Sequence, residues 1–155
     1  MPALRPDLPH LEPHVARLVQ FYEQLGPADL MRLHTLYADD AWFKDPFNEV
    51  TGVDAIRAIF THMFDALEQP RFAVRQVVGG GADCALTWRF HFGLRGRTMH
   101  IDGASVLHFD ATGRVDRHRD YWDAAEELYA KLPVLGVLMR ALQRRLATPP
   151  TRSSA

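Results

Sequence analysis

The chain has 155 residues, 47% hydrophobic and 24% charged, with a formal net charge of -1. This describes one ordinary globular domain with enough chain to bury a core around a ligand cavity. The mixed signs of its charge argue against a nucleic-acid surface, and no apolar run approaches the length of a membrane span.

Residues 1–10 carry three prolines and are predicted to be irregular. Pro13 suits the first turn of a helix. Leu11, Val15, Leu18, Tyr22 and Leu25 then recur at alternating steps of four and three, which is one helical stripe. Gly26-Pro27 breaks that helix and starts a shorter one, with Leu30, Leu33 and Tyr37 on one face. Residues 41–45 read as a short strand that ends at Pro46, since proline donates no ladder hydrogen bond. A third helix follows Thr51-Gly52, with its stripe on Ile56, Ile59, Phe60, Met63, Phe64 and Leu67.

From Phe72 the period changes from helical to alternating. Phe72, Val74 and Gln76 open one strand, and Gly79-Gly80-Gly81 turns the chain. The next strand, 83–92, puts Leu86, Trp88, Phe90 and Phe92 on one face and Thr87, Arg89 and His91 on the other. A third runs from Arg97 to Phe109, with Gly103 expected at a bulge or bend, and a fourth covers 114–122. Asp123 is expected to cap a short helix, and residues 134–146 form an amphipathic one. The predicted organisation is a single α+β domain over 1–147, with helices over about 124–147 and a disordered tail over 148–155.

The stretch Leu36-Tyr37-Ala38-Asp39-Asp40-Ala41-Trp42-Phe43-Lys44-Asp45-Pro46 resembles the first-strand region of ketosteroid isomerase and its relatives. Gly113-Arg114-Val115, running into His118-Arg119-Asp120-Tyr121-Trp122-Asp123, resembles the last strand of the polyketide-cyclase-like (SnoaL-like) and limonene-epoxide-hydrolase-like branches. The resemblance covers roughly residues 14–123 and implies the nuclear-transport-factor-2-like cone, a strongly curved, mostly antiparallel sheet wrapped around the N-terminal helices. This superfold hosts unrelated functions.

In the isomerase-like pattern Asp45 is the pocket aspartate that shuttles a proton, and an apolar cavity would favour its neutral form. The same Asp before Pro equally suits a turn cap. Tyr22 stands where the isomerase has its oxyanion-binding helix tyrosine, and it also continues the apolar stripe. Ser105 stands where the resemblance puts a protonated aspartate, so the second acid is missing. His118 and Asp120 share strand parity with Trp122 on the face that the resemblance turns into the pocket. A carboxylate beside an imidazole can orient it as a general acid or base, or the pair can be a structural hydrogen bond. Trp88 and Phe90 fall where the epoxide-hydrolase branch carries an arginine and a carboxylate. Only a one-residue slip would bring Arg89 and His91 to that face.

The candidate catalytic residues are therefore Asp45, His118 and Asp120. The candidate substrate-binding residues are Tyr22, Trp88, Phe90, Met99, Ile101, Ser105 and Trp122. No metal-ligand motif occurs among the eight histidines, and no cofactor is implied. Cys84, the single cysteine, reads as a buried hydrophobe. Three readings follow: an isomerase, cyclase or hydrolase for a small apolar carbonyl or epoxide compound; a non-catalytic carrier of a lipid-like or aromatic ligand; or an interaction module with a filled interior. The resemblance implies a homodimer through the outer sheet face, where Arg89, His91 and His100 would lie. No secretory leader is expected, which with the lone cysteine points to the cytoplasm. Leu135, Leu138, Met139 and Leu142, with Arg140, Arg144 and Arg145, suit packing on the sheet or weak contact with an anionic membrane surface.

Overall fold

The computed structural model describes residues 10–124. The chain divides into two units, Met1–Trp122 and Asp123–Ala155, and the sheet with its helices belongs to the first. The C-terminal helices expected beyond Ala124, with their membrane or sheet contacts, and the tail lie outside the described residues. No helix among the described residues is long and apolar enough to cross a membrane.

Helix α1 spans Pro13–Gln24, opens on its proline and buries Val15, Leu18, Val19, Phe21 and Tyr22. The second helix, Pro27–Thr35, is a 3₁₀ helix, and Asp29 fastens its start by accepting a 3.0 Å hydrogen bond from the Gly26 N–H. Strand β1 is Tyr37–Lys44 and β2 is Glu49–Thr51. Helix α2, Val53–Ala66, begins after Gly52, whose φ of 103° lies in a region that side chains disfavour. Strands β3 (Glu68–Gly80), β4 (Asp83–Leu94), β5 (Arg97–Phe109) and β6 (Val115–Tyr121) complete the unit.

The four successive strands predicted from Phe72 onward are present as β3 to β6, an antiparallel meander inside a larger sheet of order β2-β1-β6-β5-β4-β3. β1 lies parallel to β6, and all other pairings are antiparallel. The helices pack on one face of this curved sheet, as an α+β cone requires. There Leu18, Val19, Leu33, Ile56, Tyr37, Leu107 and Val115 lose essentially all contact with water.

The β4–β5 register is continuous and pairs Leu86 with Ser105 and Trp88 with Gly103. The predicted bulge at Gly103 is therefore replaced by another cause. A Cβ at this position would stand 2.4 Å from Cη2 of Trp88, so the glycine makes room for the indole. The same register keeps Trp88 and Phe90 inside and leaves Arg89 and His91 on the opposite face, so the one-residue slip does not occur. Arg89 is forked onto Asp102 there, with Nε to Oδ1 at 2.7 Å and Nη2 to Oδ2 at 2.6 Å.

Candidate functional site

The interior holds a single hydrogen-bonded chain running from α1 across the sheet. Tyr22 Oη meets Tyr37 Oη. Tyr37 Oη lies 2.6 Å from His118 Nδ1. His118 Nε2 lies 2.7 Å from Asp120 Oδ1. Ser105 donates from Oγ to that same oxygen at 2.5 Å, and accepts from Trp88 Nε1 at 2.8 Å. His118 is 2% exposed and Ser105 3%, so these polar groups satisfy one another with almost no help from bulk water.

The directions of these bonds follow from the donor inventory. Ionised Asp120 accepts only, so Nε2 of His118 carries a hydrogen toward it. Nδ1 is then the acceptor for the Tyr37 hydroxyl, and Tyr37 oxygen accepts from Tyr22. A second proton on His118 reverses the upper half: Nδ1–H donates to Tyr37, Tyr37 to Tyr22, and Tyr22 turns its hydrogen toward the cavity. Burial pushes both hydroxyls well above the ordinary tyrosine pKa, Tyr22 with a further contribution from Tyr37. They can pass hydrogens along without existing as free phenolates.

A small cavity borders this chain. Tyr22, Trp88, Ser105, His118 and Asp120 border it together with Phe60, Phe72, Val74, Leu86 and Leu107, and the surface they present to it is almost wholly apolar. Its free volume is about 20 Å³, room for about one water molecule. Aromatic side chains fill most of the remaining space. Tyr22 meets Phe72 edge-on at 5.5 Å, Phe72 meets Trp88 at 5.8 Å, and Phe43 meets His118 at 4.8 Å. Asp120 Oδ1 takes two hydrogen bonds, while Oδ2 takes none among the described residues.

Five of the ten candidate residues thus come together: Tyr22, Trp88, Ser105, His118 and Asp120. The other five do not line the cavity. Phe90 is stacked between Phe72 and Phe92, with centroids 4.5 and 5.1 Å away. Ile101 is buried in the core opposite Phe90, and Met99 packs half-buried against it, opposite Phe92. Trp122 lies past the end of β6, its ring edge-on to Phe47 at 5.2 Å.

Asp45 also departs from expectation. β1 ends at Lys44, so alternation no longer places Asp45. Its Oδ1 accepts from the backbone N–H of Phe47 at 2.7 Å and of Asn48 at 2.6 Å, and both oxygens meet the Asn48 amide. This is the turn-capping alternative, and it closes the β1–β2 hairpin. Asp45→Ala is expected to lower stability by about 1–2 kcal/mol, measured by denaturant unfolding. Asp45→Asn, which keeps an accepting oxygen, should cost less than half of that.

Tyr37 is the residue that sequence reasoning missed. It reads as the last position of a helical stripe, yet it opens β1 and joins α1 to His118. The clue available was a tyrosine whose hydroxyl, if buried on that stripe, must find a partner.

The chain matches the model of the SnoaL-like domain over residues 18–118, and it belongs to that family. Solved structures with the same fold include an NTF2-like protein of unknown function from Burkholderia pseudomallei. It shares 19% identity with a TM-score of 0.66, covering 75% of this chain and 95% of that one. A protein of ketosteroid-isomerase-like fold from Catenulispora acidiphila, in complex with trimethylamine, shares 16% identity with a TM-score of 0.66, covering 79% and 95%. An LEH-like epoxide hydrolase from M. tuberculosis shares 14% identity with a TM-score of 0.61, covering 86% of this chain and 92% of that one. Identities this low carry the fold and not the chemistry.

Proposed function

We propose that this SnoaL-like protein catalyses proton transfer on a small, largely apolar substrate that carries an oxygen, with His118 as the group that holds the proton. The observation that carries this reading is the unbroken chain from Tyr22 through Tyr37 and His118 to Asp120 along the cavity. A substrate proton passes to Tyr22 oxygen as the Tyr22 hydrogen moves to Tyr37 and the Tyr37 hydrogen to Nδ1. The resulting imidazolium faces the Asp120 carboxylate, which stabilises it. The reverse sequence returns a proton to another substrate atom, so the net change is an isomerisation with no cofactor. The resemblance puts the shuttle on Asp45; in this reading Asp45 shapes the hairpin and His118 takes the task.

The volume of the interior limits the substrate. The ring of Phe72, half-buried on the edge strand β3, must swing aside for anything larger than water. The Catenulispora acidiphila protein holds trimethylamine, a very small molecule, and a ligand of that size enters this interior only once Phe72 has moved aside. The same small volume supports a second reading, in which the interior is filled and the chain serves as an interaction module without turnover.

Deuterium wash-in from D2O into a panel of small ketones and enones, followed by NMR, separates the two. Wild type and Asp45→Asn are expected to exchange substrate hydrogens. Tyr22→Phe and Asp120→Asn should be slower by about 10²-fold or more, the usual scale of a lost acid–base group. Absence of exchange across the panel in wild type, or full exchange in Tyr22→Phe, refutes the catalytic reading.

A further inference from the structure

A second concavity lies on the opposite face of the sheet, along β1, β6 and β5, and shares no chemistry with the interior chain. It encloses about 800 Å³, within the range of small-molecule sites. Its upper half is built by register. Trp42 stands beside Arg117, and Arg119 stands between Lys44 and Val106. Tyr121 follows on the same face of β6 and is 50% exposed.

Arg119 is the unusual member. Its guanidinium lies over the Tyr121 ring, with Cζ 4.7 Å from the centroid. Its Nε is buried and has no hydrogen-bond partner, and Arg119 makes no ion pair among the described residues. Glu49 feels the charge of Arg119, but Lys44 Nζ holds it at 2.5 Å and Trp42 Nε1 donates to it at 3.3 Å. A desolvated N–H without an acceptor is costly, and a guanidinium fork matches a carboxylate in shape and charge. Arg117, exposed two residues away, adds a second cation.

The lower half has the opposite character. Asp40, Asp83, Asp110 and Asp116 line it, with His108 bonded to Asp116 at 2.6 Å and Asp110 engaged by Thr112 and Arg114. Those carboxylates repel multiply charged anions, so the groove suits one negative charge at its upper end, joined to an aromatic body.

We propose that this groove binds a small planar aromatic carboxylate, its charge on Arg119 and Arg117 and its ring against Trp42 and Tyr121. The test is titration of the full chain with 2-naphthoate, followed through the indole N–H resonances of the tryptophans. Saturable shifts are expected at Trp42, with affinity about tenfold or more above that for neutral 2-naphthamide or inorganic phosphate. Arg119→Gln should weaken binding by a similar factor. Arg119→Lys, which keeps the charge but not the fork, should fall between, and thermal melts identify any variant that fails to fold. Equal affinity in Arg119→Gln and wild type overturns the proposal. So does equal binding of phosphate, or a shift confined to Trp88 in the interior. A wild-type chain that sediments as a dimer and shows no shift at Trp42 overturns it too, and assigns the groove to a second copy.

Discussion

His118→Ala is expected to remove both the proposed proton transfer and a large part of the fold's stability. The imidazole is nearly sealed from water and touches four groups that depend on it. Phe43 packs edge-on against it, Tyr37 stacks parallel to it at 6.0 Å, and the Tyr37 hydroxyl and Asp120 carboxylate bond its two nitrogens. Truncation opens a hole among aromatic rings and leaves a carboxylate facing it. Breaking such a buried pair from one side costs about 3–5 kcal/mol, visible as a drop in the denaturant midpoint. Tyr37→Phe removes only one hydroxyl and is expected to cost about 1–3 kcal/mol through the unpaired Nδ1 and Tyr22 hydroxyl. The double variant should lose less than the sum of the two singles, because both remove the Tyr37–His118 bond. Strict additivity, with no coupling, is the outcome that disproves the continuous chain.

The same two residues mark how far sequence reasoning reached. His118 and Asp120 were legible because β6 alternates regularly at that point, and an i, i+2 pair on one face needs no knowledge of neighbours. Trp88 and Ser105 were legible for the same reason on β4 and β5, whose register is continuous. Tyr37 was not. The β1–β6 pairing shifts register between Tyr37 and Trp42, so β1 buries Tyr37 and Ala38 together and then exposes Asp39 and Asp40 together. Parity counted along β1 therefore fails across its middle. The β1–β6 pairing is also parallel and joins segments far apart in sequence, so no turn announces it. β2, at three residues, is too short to carry a period. Counting onward from Phe43 puts Asp45 on the strand, whereas Pro46 ends the ladder a residue earlier and frees Asp45 to cap the turn.

The choice between a working interior and a filled one turns on how rigidly Trp88 is held, and Gly103 reports on that directly. Gly103→Ala is expected to destabilise the protein by about 3 kcal/mol, a fall in Tm of roughly 10 °C or more. The added methyl would lie 2.4 Å from Cη2 and 2.6 Å from Cζ2 of Trp88, closer than any real contact. The indole cannot simply tilt away, because its Nε1 is bonded to Ser105, which in turn donates to Asp120. A shift large enough to admit the methyl breaks that bond and loosens the carboxylate that orients His118. Activity should therefore fall along with stability, although position 103 is outside the cavity. Trp88→Phe shortens the ring, so the Trp88→Phe/Gly103→Ala pair is expected to be more stable than the sum of the single losses. Calorimetry of the four proteins measures that coupling. If Gly103→Ala melts at the wild-type temperature, Trp88 is free to move, and the interior can open for a substrate at that wall instead of at Phe72.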